Sequence, residues 1–393
     1  MKKLLTLIII CCLFQSKLES KNNQEIILFD KIGVQIKGNP NFCIEGILEF
    51  FKIVDILKKD EMPTDEMWST FIESPGYKEL ARLEFGKNYF RDLLTVIFKP
   101  SEKEKLNEVI EKYKKKGDYY SWALLPTIEG FREAEKNRSE LLDFAAYLSS
   151  AETLREVENY VSEYLSNAQI DSSFKINFIV FNDSRGYDPV IIGITNPGKY
   201  TVVEINCLKE RGQNNYYPTV LLLAHEAFHH IRNKSLVYKE PNGPDRQILW
   251  ALNKIENEGI ADLINVLPLN EKEGCFYLSE QAKNIEMEQK AQYAIINTLN
   301  YLLTEISRNE ELTPNLSGAV NNIVPRSGHP TGYYMAKVIY NEFGKEYIKS
   351  IATNPFQFFV AYNEAAKNIK DAPLFSQEAM DYIKKLEKKY SLK

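Results

Sequence analysis

Three of the four histidines fall within the short segment His225–His230, which reads His-Glu-Ala-Phe-His-His. His225 and His229 are four residues apart, so in a helix their imidazole rings lie one turn apart on the same face. Two imidazoles in this arrangement can share one zinc ion, and Glu226 is then placed to act as a general base. Because catalytic zinc is normally held by three protein ligands with water in the fourth position, the chain must supply a third ligand elsewhere.

The best candidate for the third ligand is Glu258, in a segment with helical periodicity that begins near Asp245. Ala251, Ile255, Glu258 and Asp262 fall at i, i+4, i+7 and i+11, so two carboxylates continue a stripe that begins apolar. A carboxylate that faces a core is costly unless a cation or hydrogen-bond donors balance it. We therefore predict that Glu258 binds zinc and that Asp262 accepts the free ring N–H of a histidine ligand. The alternative is that either residue is a surface acid on a tilted helix.

Two neighbouring residues are not expected to bind the metal. His230 lies about 100° around the helix from His229, so we predict that it points away from the ion and has a structural role. Glu256 faces nearly the opposite side of its helix from Glu258, and we predict that it is solvated.

Together, His225, Glu226, His229 and the segment 257–262 (Asn-Glu-Gly-Ile-Ala-Asp) resemble the two zinc-binding helices of gluzincin metallopeptidases, the group that contains thermolysin and the zinc aminopeptidases. In that group the second helix carries a glutamate ligand and, four residues later, an aspartate that supports a histidine. The resemblance extends over about residues 200–344. It implies the same roles for the corresponding acids here, with one zinc ion per chain.

Gluzincins often have a later helix that opens with a tyrosine or histidine just before a glycine, and this residue stabilises the transition state. The present chain contains His329-Pro330-Thr331-Gly332-Tyr333-Tyr334. The resemblance implies that His329 is the oxyanion stabiliser, with Tyr333 and Tyr334 as alternates.

The resemblance implies hydrolysis of peptide bonds by a metal-activated water with Glu226 as general base. The expected substrate is a peptide or protein, cut by an endopeptidase or oligopeptidase, and the likeness extends to secreted bacterial zinc-dependent peptidases. The chain departs from the group in a longer segment between His229 and Glu258 than in thermolysin. It also lacks a Gly-x-Met-x-Asn exopeptidase signature, so an aminopeptidase is not predicted. The alternatives are a zinc hydrolase for a non-peptide amide and a non-catalytic peptide- or surface-binding protein that retains a peptidase scaffold.

The composition is that of a globular protein, with 393 residues, 44% hydrophobic and 26% charged. The net charge of −5 provides no basic excess to neutralise phosphates, so we expect no nucleic-acid partner. No feature predicts an oligomeric state.

The amino terminus, residues 1–20, has the order of a secretory signal peptide: two lysines, an apolar run and a polar end. The apolar run, 4–14, is about half the ~20 residues that span a bilayer, so we predict export and no integral membrane segment after signal removal. Cys11 and Cys12 suggest lipoprotein anchoring, but the preceding residue is not small, so we do not expect it. For Cys43 and the two later cysteines, Cys207 and Cys275, we predict buried, inert thiols.

Hydrophobic periodicity divides the rest of the chain. Apolar residues recur at helical spacing from about 40 to 165, and we expect the prolines there, Pro126 among them, to separate several helices. Residues 175–182, 189–194 and 200–208 are short and β-branched, which predicts strands. We consider 200–208 a candidate edge strand for an extended peptide. The helical period returns in the segments 218–233, 245–267, 280–307, 331–343, 355–369 and 376–390.

These patterns predict an α+β, mostly helical fold. We expect a gluzincin-like catalytic domain at 166–393, with a small sheet and the His-Glu-x-x-His helix. An all-helical region at 21–165 precedes it and is expected to shape or cover the cleft.

Overall fold

The computed structural model describes residues 26–29, 35–39, 41–81, 86–116, 118–181, 190–192, 201–204, 216–239, 241, 243–271, 289–309, 313–324 and 328–392. The predicted signal segment 1–20, with Cys11 and Cys12, lies outside these ranges, as do Cys207 and Cys275. Cys43 is partly buried, and burial raises the pKa of its thiol to about 12, with the charge of Glu45 acting in the same direction. Within the described part of the chain, no helix is both long enough and apolar enough to cross a membrane.

The amino-terminal part is mostly helical, but the prediction that residues 21–165 are all helical was wrong, because short strands precede the helices. Its α-helices are α1 (Glu45–Leu57), α2 (Asp65–Glu73), α3 (Pro75–Leu80), α4 (Lys87–Phe98), α5 (Leu106–Lys114), α6 (Asp118–Lys136), α7 (Arg138–Leu148) and α8 (Ala151–Ser162), with a 3₁₀ helix at Pro100–Lys105. Thr64 and Ser150 begin α2 and α8 by accepting hydrogen bonds from backbone N–H groups of the first turn.

Pro126 lies inside α6 and does not separate two helices, so this detail of the sequence prediction was wrong. The apolar stripe of Leu124, Ile128 and Phe131 is buried on both sides of the proline. Continuous packing of this stripe outweighs the cost of the backbone hydrogen bond that proline removes.

The three predicted strands are present as β4 (Ile176–Ile179), β5 (Val190–Ile192) and β6 (Thr201–Glu204). Three further short strands precede the helices in the segment predicted to be all helical: β1 (Ile26–Phe29), β2 (Gln35–Gly38) and β3 (Phe42–Cys43). β1 and β2 form an antiparallel pair. At two residues, β3 is too short to show a period in the sequence.

The second sheet has the strand order β3-β4-β6-β5. β3, β4 and β6 are parallel, and β5 pairs with β6 in the antiparallel direction. β6 is therefore flanked on both sides, and its predicted role as a free edge strand was wrong. Pairing with the short strand β5, which continues the sheet beyond β6, is the physical reason.

The amino-terminal helices pack directly on this sheet. Gly46 of α1 and Gly76 of α3 both approach Ile179 of β4, and a Cβ at Gly76 would lie 2.3 Å from the Ile179 side chain. The Tyr77 hydroxyl donates to the backbone oxygen of Val180 at 2.6 Å. The absence of side chains at the two glycines lets these helices lie close against the strand.

The carboxyl-terminal part is helical and carries the predicted site residues. Its helices are α9 (Tyr216–Lys234), α10 (Asp245–Glu271), α11 (Gln289–Arg308), α12 (Pro314–Asn322), α13 (His329–Phe343), α14 (Lys345–Ile351), α15 (Pro355–Ala366) and α16 (Gln377–Tyr390). The predicted helices correspond to α9, α10, α11, α13, α15 and α16, whereas α12 and α14 were not predicted. α10 packs against both α9 and α13.

The backbones of α10 and α13 touch at a pair of glycines. A Cβ on Gly259 would lie 2.3 Å from the backbone oxygen of Gly332, and a Cβ on Gly332 would lie 2.1 Å from the backbone oxygen of Ile255. Gly328, just before α13, has φ +106° and lies against the backbone of Lys254. This contact places His329, the first residue of α13, beside the middle of α10.

We predict that Gly332→Ala lowers the free energy of unfolding by about 3 kcal/mol, because its methyl group collides with backbone that cannot rotate away. Urea unfolding measures the change. Gly318→Ala, inside α12, is the matched control, since its Cβ would meet the flexible side-chain oxygen of Gln247 at 3.3 Å. The control should stabilise the chain by up to about 1 kcal/mol through helix propensity. Equal effects of the two substitutions would contradict the tight contact.

Candidate metal centre

The two helices α9 and α10 bring three potential ligands together. The Nε2 atoms of His225 and His229 lie 2.9 Å apart, with the two rings at 90° to each other. The Oε2 atom of Glu258 lies 3.6 Å from Nε2 of His225 and 3.0 Å from Nε2 of His229.

This donor set fits zinc. Atoms that each lie about 2.0–2.2 Å from one ion must lie within about 4 Å of one another, and all three pairs meet this condition. Two imidazole nitrogens and one carboxylate oxygen are also the ligand types of catalytic zinc sites. The four-residue spacing of His225 and His229 on α9 produces the imidazole pair, as predicted from the sequence.

Glu258 is buried, with 5% of its surface exposed, and each of its oxygens has a separate set of partners. The Lys254 ammonium donates to Oε1 at 3.1 Å, whereas Oε2 faces the histidines, including His329 Nε2 at 3.4 Å. Burial raises the pKa of Glu258, but the charges of His229 and His329 and the close contacts with His225 and His229 outweigh it, so the pKa lies well below its ordinary value. Glu258 is therefore ionised at neutral pH, as a metal ligand requires.

The outer nitrogens of both candidate histidine ligands contact asparagine side chains. Nδ1 of His229 lies 3.0 Å from Oδ1 of Asn257, and Nδ1 of His225 lies 3.2 Å from Oδ1 of Asn265. An amide oxygen accepts a hydrogen bond from Nδ1–H, which leaves the Nε2 lone pair free for a metal.

The sequence analysis missed both asparagines, although a signal for each was present. Asn265 continues the stripe of Glu258 and Asp262 at the next helical position, and Asn257 directly precedes Glu258. Asparagine is common on solvated helix faces, so the residue type alone did not separate these two from surface residues.

Asp262 lies between a predicted metal ligand and His329. Both of its oxygens are 3.1 Å from Nδ1 of His329, and one is 3.6 Å from Nδ1 of His225. The shorter contacts are therefore with His329, whereas the sequence analysis placed Asp262 against a histidine ligand. The rings of His225 and His329 stack with their centroids 5.6 Å apart. His225, Asp262 and His329 form a second group that could hold a metal, and it shares His225 with the first.

The acids around His225 determine its charge in the metal-free site. Burial lowers the pKa of His225, but the close contact with Glu258 and the charges of Asp262 and Glu226 outweigh burial and raise the pKa to about 9. Without a metal, His225 therefore carries a proton, and a metal cation would displace this proton on binding.

The other predicted site residues occupy different surroundings. Glu226 is partly buried on α9, and its charge acts on His225. Tyr333 is fully buried, with the Lys337 ammonium 5.6 Å from its ring centre. The ring of Tyr334 packs against two further tyrosines, Tyr293 and Tyr362, at centroid distances of 5.5 and 6.2 Å.

His230 and Glu256 lie apart from the three potential ligands. The His230 ring packs on Phe174, and its Nε2 lies 3.2 Å from the Ser173 hydroxyl. Glu256 is fully buried and pairs with Arg232 of α9, so the prediction that it is solvated was wrong. The physical reason is that α9 covers this side of α10 and supplies a counter-charge.

Comparison with protein families shows where the chain belongs. Residues 68–371 match the model of the family described as "Putative zinc dependent peptidase (DUF5700)". This match covers more than half of the chain and includes α9, α10 and α13, so the chain belongs to that family. The description agrees, at this coarse level, with the predicted zinc chemistry and peptidase class. No curated protein and no solved structure matches the chain.

We predict that Asn257→Ala and Asn265→Ala each weaken zinc binding by about 10- to 100-fold, because each loses the acceptor that orients a histidine ligand. Competition with a chelator measures the zinc dissociation constant. Asn88→Ala, at an exposed position near the start of α4, is the control and should leave it unchanged. Wild-type zinc affinity in both site variants would show that the asparagines do not orient the histidines.

Proposed function

We propose that the chain is an exported zinc-dependent endopeptidase or oligopeptidase of the gluzincin type. One observation carries the proposal. His225, His229 and Glu258 converge from α9 and α10, and among the described residues their donor atoms form a group of three within 4.8 Å. Three protein ligands leave one position of tetrahedral zinc for water or substrate, which is the arrangement of a catalytic site.

Zinc bound by these residues would supply a Lewis acid that polarises a carbonyl and lowers the pKa of water to about 7. Glu226 directly follows His225 on α9, so its carboxylate is attached to the helix that carries two of the ligands. We assign Glu226 as the general base, which takes a proton from the attacking water and returns it to the leaving amine. Its partial burial, next to a histidine ligand, supports this role.

His329 is assigned as the oxyanion donor. Its Nδ1 is held by both oxygens of Asp262 at 3.1 Å, and its Nε2 lies 3.4 Å from the Glu258 carboxylate. The side chain is 31% exposed, so it borders the pocket instead of being enclosed in the core. With Nδ1 held by Asp262, Nε2–H of His329 is assigned as the donor to a developing negative charge.

The amino-terminal segment supports the part of the proposal that concerns export. Residues 1–20 have the pattern of a secretory signal, and on this basis we propose export to the periplasm, the cell surface or the medium.

The proposal is tested by metal analysis and digestion of a mixed peptide library with the full chain and two variants. The wild type should contain about one zinc per chain and cleave peptides in a chelator-sensitive way. Glu226→Gln should retain zinc but lose about 10²- to 10⁴-fold in hydrolysis, because the amide cannot accept the proton. Glu258→Ala should lose both zinc and cleavage, since one of three ligands is removed.

The outcomes separate the possible functions. Zinc without cleavage of any peptide favours a binding protein that retains the scaffold, or a zinc hydrolase for another amide. Unchanged hydrolysis in Glu226→Gln would exclude that residue as the base.

We predict that His329→Ala lowers kcat by about 10²- to 10³-fold, with a smaller effect on KM, because the donor acts mainly in the transition state. Steady-state kinetics on a peptide identified from the library gives both constants. Tyr333→Phe and Tyr334→Phe are the matched comparisons, since each removes a hydroxyl and keeps the ring. A kcat loss in either tyrosine variant, with normal kcat in His329→Ala, would move the oxyanion role to that tyrosine.

A further inference from the structure

A second link between α9 and α10 lies beside the metal ligands. Arg232 and Glu256 are both fully buried, with no exposed side-chain surface. The guanidinium and the carboxylate meet in two parallel contacts, Nε to Oε1 at 3.3 Å and Nη2 to Oε2. Nη1 also donates to the side-chain oxygens of Asn253 at 2.8 Å and Asn233 at 3.3 Å.

Each residue of this ion pair lies close in the sequence to a proposed metal ligand. Arg232 is three residues after His229, which places the two side chains on the same face of α9. Glu256 is two residues before Glu258 on α10. A shift of one helix relative to the other would therefore strain the ion pair and displace the ligands together.

The arginine is charged at neutral pH despite its burial. Burial lowers the pKa of Arg232 to about 10, although Tyr238 and Glu258 act in the opposite direction. A buried ion pair adds little to the stability of the fold, because desolvation of the two charges offsets their attraction. Apolar residues of similar size at the same positions often stabilise the fold equally well. What a planar guanidinium fork adds over apolar residues is a defined distance and orientation.

Zinc binding requires such a defined distance. Glu258 Oε2 lies 3.0 Å from His229 Nε2 and 3.6 Å from His225 Nε2, whereas ligands of one zinc ion must lie within about 4 Å of each other. One residue of an α-helix rises about 1.5 Å, so sliding by a single residue could take a pair of ligands beyond that limit.

We propose that Arg232 and Glu256 are positioning residues of the metal centre, and that their paired contacts set the register of α9 against α10 at which the ligands meet. The inference rests on the proposed function, because it takes the ion to be bound by His225, His229 and Glu258. Neither residue of the pair binds the metal itself.

The test uses the full chain with Arg232→Met/Glu256→Leu, which removes the pair without leaving one buried charge unpaired. The matched control is Arg138→Met/Asp55→Leu, which removes another two-contact arginine pair, with distances of 2.5 and 2.9 Å, between α7 and α1. The zinc dissociation constant is measured by chelator competition, and ligand geometry by the visible absorption of the Co²⁺-substituted protein. Urea unfolding of all proteins separates effects on the fold from effects on the metal.

We expect the Arg232/Glu256 double variant to bind zinc about 10- to 100-fold more weakly and to show an altered Co²⁺ spectrum while it remains folded. The control should have the zinc affinity and the Co²⁺ spectrum of the wild type. If the wild type binds zinc and the folded double variant has the same affinity and spectrum, the positioning role is overturned while the proposed function stands. A wild-type chain that binds no zinc overturns both.

A second variant covers the case in which the double variant does not fold. Arg232→Lys retains the positive charge but loses the two-contact fork. It should still weaken zinc binding and change the Co²⁺ spectrum, by less than the double variant would. Wild-type values of both quantities in Arg232→Lys would overturn the proposal.

Discussion

The candidate metal centre depends on how closely α10 can approach its neighbours. At Gly259 and Gly332 the backbones of α10 and α13 touch, and no side chain larger than hydrogen fits between them. Because Gly259 directly follows Glu258, the point of closest approach lies beside the candidate carboxylate ligand. The same contact brings the first turn of α13, and His329 with it, to the pocket. α9 also packs against α10, so one helix positions His225 and His229 of one neighbour and His329 of the other.

Charge is the second requirement of this arrangement, since several ionisable groups lie in a buried region. The acids alternate with bases in space: the Glu258 carboxylate lies among three histidines and Lys254, and Asp262 faces His329. Arg232 and Glu256 compensate each other a short distance away. A carboxylate without such partners would cost several kcal/mol on burial, so the groups must be brought together as a set. The chain achieves this with side chains from α9, α10 and α13.

Much of this site was predictable because its signals are local. The spacing of His225 and His229 determines which helix face carries them, and the stripe that includes Glu258 and Asp262 has the same period. The three strands of the sheet followed from short β-branched segments. Sequence periodicity did not reveal the contacts between different helices or the pairing of strands. The burial of Glu256 depends on Arg232 of another helix, and the preference of Asp262 for His329 depends on how α13 lies on α10. The position of β6 inside the sheet likewise depends on the pairing of β5. Pro126 lies inside α6 because packing of the helix outweighs the cost of the proline, and the local sequence pattern does not record that packing.

The contact between Lys254 and Glu258 bears on which cations the proposed zinc site would accept. With Oε1 occupied by the ammonium at 3.1 Å, the carboxylate presents a single oxygen to an ion, beside two imidazole nitrogens. Calcium takes six to eight oxygen ligands, and magnesium requires a near-octahedral set of oxygens, so both are poorly served by this donor set. Ions that accept nitrogen ligands at low coordination number are favoured, and among divalent metals zinc combines that preference with tolerance of a tetrahedral site. In the proposed zinc site, Lys254 would therefore add to the preference that two imidazole donors give for such ions over calcium and magnesium.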